Sequence, residues 1–315
     1  MRLFRFGFLI LSVSALNAYA ASILGSAANY AVLGASTVTN TGTTTLGGNL
    51  GVSPGSALTG TGTIVFTGGS VIDNGDAATA QGDASTAFTS LGASSLVSAA
   101  LSGTPSSGGN NLTGFDLGGL TLSAGTGGTT TVVSNGVSTA ETIFAFSTSA
   151  QLTGALTLNF GGASGQTIVI DTGTTLTTAA GPNGGPLDSS VLIENAGSND
   201  NVVWLVGSSA TIGTYTSFAG NITAGTGSVG MFTGATDGCG SVISLIAAVT
   251  LQGNTISTGC TITGGSTTTG GTVTPTTGPV TSQVTVPEGG STLLYLCLFL
   301  LPIGGMQAFR GRRSA

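Results

Sequence analysis

Apolar residues along most of the chain alternate with polar ones rather than recurring at helical spacing. Pairs that show this two-residue period are Leu156 and Leu158, Ile168 and Ile170, Val203 and Leu205, and Val249 and Leu251. Short runs of this kind, separated by Gly and Thr, are typical of brief β-strands. The pattern therefore predicts an all-β body built from many short strands.

One stretch breaks the alternation and predicts a helix over residues 77–101. It contains no Pro, and Ala80, Ala84, Phe88 and Leu91 recur at steps of three and four residues. Asn74 and Asp76 precede it as possible caps, while Gly82 and Gly92 weaken it. We expect a single amphipathic helix that ends near Gly103.

A short motif recurs behind successive apolar runs. It begins at Thr153, Thr172, Asn195, Thr214, Thr233 and Gln252, and a similar segment begins far upstream at Thr41. Four of the five steps between the downstream starts are identical, and the remaining one is slightly longer. A spacing of about twenty residues, with two or three short strands in each unit, predicts a three-sided β-solenoid in which one repeat makes one coil.

The cysteines agree with this period. Cys297 lies in an apolar C-terminal stretch, which leaves Cys239 and Cys260 in the body. Their separation along the chain is close to one coil, so the two Cα atoms can approach the roughly 5–6 Å that a disulfide requires. An isolated pair in an exported protein most simply forms a disulfide, and a two-thiol metal site without His is disfavoured.

Charge excludes several classes of function. The chain has no His, and its five basic residues all lie near the two ends, so residues 21–286 carry ten carboxylates and no cation. Such a body cannot neutralise phosphates, which argues against nucleic-acid binding. It also lacks the commonest general base. Most of the Asp residues stand beside Gly or Asn in predicted turns. Calcium binding at such turns stays open as an alternative, although no calcium-loop spacing is present. We therefore expect no catalytic residues, no metal and no cofactor.

The two ends have the character of sorting signals. Residues 1–20 combine an early basic pair, an apolar run and Ala18-Tyr19-Ala20, which predicts a signal peptide cut after Ala20. Residues 261–285 are rich in Gly, Thr and Pro and predict a flexible linker. Residues 286–315 join a Pro-Glu signal, an apolar stretch and three arginines, which predicts a membrane-spanning tail. The body is therefore expected outside the cytoplasmic membrane.

This tail resembles the PEP-CTERM type of bacterial sorting signal, which an exosortase removes. The match is partial, because Gly289 stands where the motif has a second Pro. A simple membrane anchor that is left in place is the alternative. Either reading predicts a secreted or surface-associated bacterial protein.

Stacked Thr, Ser, Ala and Gly would make one solenoid face flat and uncharged. Threonine carries a methyl and a hydroxyl on a stiff β-branched stem, so such a face is ordered in advance. Hydroxyls can anchor water while methyls shape its hydration structure, and many registered contacts can together hold an ordered water lattice. The pattern favours binding to ice.

Several segments resemble the DUF3494 family of ice-binding proteins, in chain order from about Ala27 to Cys260. They are the segments at 31–42, 47–55, 149–154, 203–213, 218–222, 248–251 and 254–256. The resemblance implies a discontinuous right-handed β-solenoid of triangular cross-section over residues 21–260, with one long helix packed alongside. It also implies that the N-terminal segment fills a coil beside C-terminal ones.

The family pattern at the ice-binding face is Thr-Ala/Gly-x-Thr/Asn, matched best at the motifs that begin at Thr41, Thr172 and Thr233. The motif at 214–217 departs from it through Tyr215, which could interrupt a flat face. Residues 125–143 are longer than the family usually has there and predict a loop insertion. The residues expected to contact ice are Thr41, Thr44, Thr153, Thr172, Thr174, Thr175, Thr214, Thr216, Ser217, Thr233, Thr236 and Thr255.

Two other functions remain open at this point. A cell-surface adhesin or matrix protein that binds a polysaccharide would share the tail, the linker and the repeat, although Trp204 lies in an apolar strand and is expected in the core. A glycan-cleaving solenoid would need a carboxylate pair. The leading hypothesis is a monomeric ice-binding protein that slows ice growth and recrystallisation.

Overall fold

The computed structural model describes residues 22–73, 75–183 and 188–258. The predicted signal peptide, linker and tail lie outside these ranges, as does Cys260. Cys239 is disulfide-bonded.

Every described strand belongs to one of three sheets that the chain visits in turn. Sheet A has the strand order β7 (Val71–Asp73), β4 (Asn49–Val52), β1 (Tyr30–Gly34), β22 (Val242–Ser244), β19 (Asn221–Ala224), β16 (Asn201–Val206), β13 (Gln166–Thr172), β10 (Val137–Phe146) and β9 (Thr130–Ser134). Sheet B has the order β11 (Ala150–Leu152), β14 (Leu176–Thr178), β17 (Ala210–Ile212), β20 (Val229–Met231), β23 (Val249–Gln252), β2 (Thr37–Thr41) and β5 (Ala57–Thr59). Sheet C has the order β6 (Ile64–Phe66), β3 (Thr44–Gly47), β24 (Thr255–Ser257), β21 (Thr236–Asp237), β18 (Ser217–Phe218), β15 (Ser190–Glu194), β12 (Ala155–Asn159) and β8 (Thr121–Ser123).

Strand pairing within these sheets is parallel, except that β9 pairs antiparallel with β10. Parallel neighbours that come from successive coils are the hallmark of a β-solenoid. The N-terminal strands continue the stack beyond the C-terminal ones: β1 pairs with β22, β2 with β23 and β3 with β24. The expected discontinuous order is thus confirmed.

Coil length is regular only in the last coils. Stacked partners there lie close to one predicted repeat apart, as for Ala210 with Val229 and Val229 with Val249. Further back, Leu176 stacks on Ala210 across a much longer stretch of chain. The predicted constant period is therefore wrong for the middle of the chain. The motifs at 172–175 and 195–198 fitted the predicted period although they lie at other corners of the solenoid than the remaining motifs, in coils that are longer than one repeat.

Two apolar clusters hold the fold together. The inward residues of all three sheets fill the solenoid, with Trp204, Phe144 and Phe146 almost fully buried. A second cluster lies between the outer side of sheet A and a helix, where Leu33 and Val203 pack with the small residues of that helix. Close approach of alanines to a sheet lets the helix lie flat against it.

The predicted single helix is two helices. Helix α1 spans Gly75–Leu91 and helix α2 spans Ser94–Leu101. The break falls at Gly92, whose amide donates to Phe88 O, and at Ala93, whose ψ of 127° is not helical. Within the described ranges neither helix alone has the length and hydropathy to cross a bilayer; only the bent pair taken together meets that criterion.

The predicted loop insertion at 125–143 is instead mainly a β-hairpin. Strands β9 and β10 turn through Asn135 and Gly136, both in the left-handed region, as a tight hairpin requires. Ser134 Oγ and Asn135 Nδ2 both donate to Ile23 O, at 3.0 and 2.9 Å. The hairpin therefore extends sheet A and fixes the N-terminal segment against the body.

Candidate binding surface

The helices leave two of the three solenoid faces open. Helix α1 covers sheet A, where both sides of strands such as β1 and β16 are largely buried. Sheets B and C each show alternation between buried and accessible positions. A binding surface built from stacked side chains must therefore lie on sheet B, on sheet C or at the corner between them.

Sheet B carries a continuous column of short side chains that point outward. The column runs across all seven strands in hydrogen-bonded register and consists of Gln151, Thr177, Thr211, Gly230, Thr250, Thr39 and Thr59. The neighbours of these residues along each strand point into the core, as Ala210 and Ile212 do around Thr211. Every position of the column after Gln151 is therefore Thr or Gly.

A second outward column lies two residues earlier on each strand. It consists of Thr175, Ser209, Ser228, Ala248, Thr37 and Ala57. Neighbouring coils are locked together there by backbone bonds of 2.8–3.1 Å, including Ala150 N to Thr175 O and Leu176 N to Ser209 O. The two columns form a grid with a repeat of about 4.8 Å across the strands and about 6.6 Å along them.

This grid, which we call the sheet B face, is level and uncharged. No Asp, Glu, Lys or Arg occurs within the seven strands of sheet B. Seven strands give the face a length of about 29 Å. Larger side chains lie along its borders: Phe232, 40% exposed, and Tyr215 at the corner toward sheet C, and Ile246, 62% exposed, at the corner toward sheet A. The face offers methyl and hydroxyl groups on a regular lattice.

Sheet C has one comparable column but lacks the level surface. Its column runs through Ala155, Ser190, Ser217, Thr236, Thr255, Thr45 and Val65. Leu192, 42% exposed, and the exposed Glu194 project beside it. A charged and a bulky side chain in one half of sheet C would keep a flat, ordered surface at a distance.

The structure scatters the twelve residues predicted to contact ice. Thr44, Thr172 and Thr216 are at most 1% exposed, so this part of the prediction is wrong. Thr44 Oγ1 donates to Asn40 Oδ1 at 2.6 Å, and Thr216 shares a 2.7 Å hydrogen bond with Thr178 inside the solenoid. Their hydroxyls support the interior instead of facing solvent.

The other nine lie on different parts of the surface. Only Thr175 belongs to the sheet B face, and Thr174 precedes it at the corner between sheets A and B. Those at the corner between sheets B and C are Thr41, Thr153, Thr214 and Thr233, and those on sheet C are Ser217, Thr236 and Thr255.

The Thr-Gly motif misled the prediction because it marks turns. Gly42, Gly154, Gly234 and Gly253 all occupy the corner between sheets B and C with positive φ. Tyr215 holds the same place with φ 57°. A left-handed residue at this corner favours Gly, which explains why the motif recurs without marking a flat face.

The residues that form the sheet B face carry a different signal. Each pair of outward residues brackets one inward apolar residue, as in Thr37-Val38-Thr39 and Thr175-Leu176-Thr177. Ser209-Ala210-Thr211 and Ala248-Val249-Thr250 follow the same pattern. This small-apolar-Thr triplet is the feature that could have located the face from the sequence.

Two acidic side chains, Glu141 and Asp237, lie inside the protein away from this face, and Asp171 is half-buried. Burial raises the pKa of Glu141 and of Asp237 to about 8, and that of Asp171 to about 6. Neither carboxylate oxygen of Glu141 has a hydrogen-bond partner, and Asp237 Oδ1 accepts a 3.2 Å bond from Cys239 N. Glu141 and Asp237 are therefore held mainly in neutral form near neutral pH and add little charge to the protein.

Other kinds of site receive no support from the described residues. No three Cys, Asp or Glu side chains there lie close enough together to hold a metal ion. Trp204 is fully buried, as expected: its indole Nε1 donates to Ala219 O at 3.1 Å and its ring lies 4.8 Å from that of Phe218. It cannot serve as a stacking platform for a sugar.

Comparison with known proteins gives a consistent picture. A family model described as ice-binding-like matches residues 32–257. The chain is similar to an ice-binding protein of Nostoc sp. (strain HG1), with 39% identity over 239 residues, which are 76% of this chain and 75% of that relative.

Solved structures agree with the sequence match. An ice-binding protein from an Antarctic biological consortium aligns with 30% identity and a TM-score of 0.55, over 74% of this chain and 89% of its own. One from the Antarctic ascomycete Antarctomyces psychrotrophicus aligns with 27% identity and a TM-score of 0.54, over 75% of this chain and 97% of its own.

Proposed function

This chain belongs to the ice-binding-like family, and on that premise we propose that it adsorbs to ice through the sheet B face. Adsorbed molecules force ice to grow as curved fronts between them, which costs interfacial free energy. The protein thereby slows ice growth and recrystallisation, and its partner is a surface of frozen water.

The observation that carries this assignment is the unbroken register of small outward residues from Thr177 to Thr59. A single hydroxyl binds a water molecule weakly, so adsorption requires many contacts formed at once with little loss of entropy. Stacked strands supply both conditions, because the positions repeat and the β-branched stems of threonine are stiff. Sheet C shares part of this chemistry but is interrupted by Leu192 and Glu194.

The decisive experiment compares two matched substitutions in the fragment 21–260. Thr211→Tyr places a ring in the middle of the sheet B face, and Thr255→Tyr places one on the column of sheet C. Both threonines are partly exposed members of a stacked column. We expect Thr211→Tyr to remove most thermal hysteresis and recrystallisation inhibition, and Thr255→Tyr to retain them.

Unfolding temperatures measured on the same samples show whether a variant has lost activity because it has lost its structure. Full activity of Thr211→Tyr in a folded protein would reject the sheet B face. Equal loss in both variants would mean that sheet C also contacts ice, against the proposal.

We further propose that the protein is exported by a signal peptide cut after Ala20 and that Cys239 pairs with Cys260. Support for the cut comes from Ile23 and Leu24, which are 1% and 2% exposed, so the packed body begins immediately after it. Support for the pair is that Cys239 is disulfide-bonded and that the other cysteines are Cys260 and Cys297. Non-reducing peptide mapping of the exported protein tests both points.

The same proposal extends to the C-terminal tail and to the direction of winding. The tail anchors the body at the bacterial surface, either permanently or until an exosortase-type enzyme removes it. Right-handed winding is supported by the strong preference of parallel crossover connections for that hand.

A further inference from the structure

The two ends of the solenoid differ in how well they close the core. At the end formed by β5, β6 and β7, which we call the open end, the inward residues Leu58, Ile64 and Phe66 remain partly exposed. Their partners one coil further in, Val38, Thr44 and Leu46, are at most 1% exposed. The last coil at this end therefore leaves apolar interior uncovered.

The opposite end is sealed. Its last coil contributes Leu112, Leu117 and Leu122, each at most 1% exposed. Leu117 N donates to Gln151 O at 2.8 Å, which covers the edge of sheet B, while Leu120 and Ala124 pack against the core from outside. The chain thus builds a cap at one end and lacks one at the other, within the described residues.

The open end also has little of the usual protection against association. Each of β5, β6 and β7 is the terminal strand of its sheet, so three strand edges present backbone groups side by side. Strands β5 and β6 contain neither a charged side chain nor a Pro, the devices that commonly block edge pairing, and Asp73 at the end of β7 is the one charged residue in the three strands. Val65 adds outward apolar surface at 49% exposure, and Val71, in register with the inward Leu50, is 42% exposed.

The shape of this edge fits another copy of itself. Because β5, β6 and β7 follow one another along the winding chain, in an evenly wound three-sided coil each stands about one third of the ~4.8 Å strand spacing higher than the one before. A two-fold axis normal to sheet C, placed beside Val65 about half a strand spacing beyond β6, pairs β6 with its own copy and the low β5 with the high β7. The height differences between the strands then cancel. The three strand pairs therefore have the same separation, and each pair is antiparallel.

We propose that the protein forms a head-to-head dimer through the open end, with β6 pairing with β6 of a second copy. The contact is isologous and closes, because the sealed end offers no equivalent edge that would continue the chain of contacts. It buries Leu58, Ile64 and Phe66 and completes three sheets across the junction. The small cross-section of one coil makes this a weak, concentration-dependent association. It replaces the monomer expected from the sequence.

This dimer leaves ice binding intact. The two-fold axis brings sheet B of one copy next to sheet A of the other, so both sheet B faces stay exposed and point in different directions. The proposal is independent of ice binding, since it concerns only the open end.

The first test measures mass in solution. The fragment 21–260 is suitable because solved relatives that cover this part of the chain consist of little else, at 89% and 97% of their length. Sedimentation from about 10 µM to about 1 mM should show the mass rising toward that of a dimer. A monomer at every concentration would overturn the proposal.

Two substitutions locate the contact. Val65→Lys puts like charges face to face on the two-fold axis and should abolish the dimer, whereas Val133→Lys, at the sealed end and 62% exposed, should leave it unchanged. Val65→Cys should give a covalent dimer with oxidised glutathione, because facing β-carbons in antiparallel pairs are about 4.5–5.5 Å apart. A dimer that survives Val65→Lys, or that fails to cross-link through Val65→Cys, would contradict the assigned contact.

The longer fragment 21–285 tests a competing occupant. If residues 261–285 cover the open end, this fragment stays monomeric where 21–260 dimerises, and the second copy is then rejected as the occupant in the intact protein. Dimerisation of both fragments supports it. Circular dichroism and unfolding temperature verify that each variant is folded.

Discussion

Tyr215 packs its ring against Gly234 of the next coil, at the corner between sheets B and C. A β-carbon on Gly234 would lie 2.4 Å from both Cδ1 and Cε1 of Tyr215. Both residues have left-handed backbone conformations, with φ 57° and 69°. Tyr215 therefore occupies the corner beside the sheet B face and does not interrupt either of its columns.

Gly234→Ala should destabilise the fold more than the same change at Gly154. Both glycines turn the same corner with positive φ, but a β-carbon on Gly154 meets nothing within 4 Å. Backbone strain alone costs about 1 kcal/mol, and the collision with Tyr215 adds to it at position 234. Urea denaturation of both variants measures the difference. Equal losses would mean that the ring moves aside without cost.

Thr44→Val should lower stability without changing ice activity per folded molecule. Thr44 Oγ1 donates to Asn40 and accepts from Asn254 N at 3.1 Å, and it is fully buried. Removal of this hydroxyl leaves buried polar groups unpaired, at a cost of about 1–3 kcal/mol. Thr255→Val is the matched control, because Thr255 is partly exposed. A loss of hysteresis in folded Thr44→Val protein would contradict the interior role.

Stability should fall as the pH rises from about 5 to 8. Burial raises the pKa of Glu141 from 4.5, and that of Asp237 from 3.8, to about 8. Between these values the folded protein keeps protons that the unfolded chain releases. The stabilisation is complete below the unfolded pKa and is lost toward pH 8, by about 1 kcal/mol per pH unit for each group.

Denaturant midpoints at pH 5, 6, 7 and 8 measure this slope. Glu141→Gln removes one titrating group, and its slope should be shallower than that of the parent. A parent protein that becomes more stable over this range would contradict the burial of neutral carboxyl groups.

Asn135→Ala should loosen the N-terminal segment. Asn135 Nδ2 donates to Ile23 O and to Asp83 O, at 2.9 and 3.0 Å, and so links the hairpin, the N-terminus and α1. Asn199→Ala is the control, because Asn199 has a similar left-handed φ of 60° but is exposed. We expect a loss about 2 kcal/mol larger at position 135. Faster proteolysis near residues 22–29 should accompany it, and equal behaviour of both variants would refute the link.

The sequence by itself determined the solenoid and its chemistry. Period-two alternation around residues such as Val38, Leu176 and Ala210 fixes which side chains point inward, because strands place successive side chains on opposite sides. The lack of basic residues in residues 21–286 argued against nucleic-acid binding. Gly92 marked a weak point of the predicted helix, although a single helix was predicted where the structure has α1 and α2.

Only the tertiary structure decided which face is available and which residues share it. The strands of all three sheets have similar short sequences. Which sheet is available for binding therefore depends on where α1 packs and on coil lengths that differ widely along the chain. Thr172 and Thr211 both lie in short β-like runs of the sequence. In the structure Thr172 points into the core, whereas Thr211 lies on the sheet B face. Register between distant coils sets that difference, because side chains become neighbours only when the coils stack.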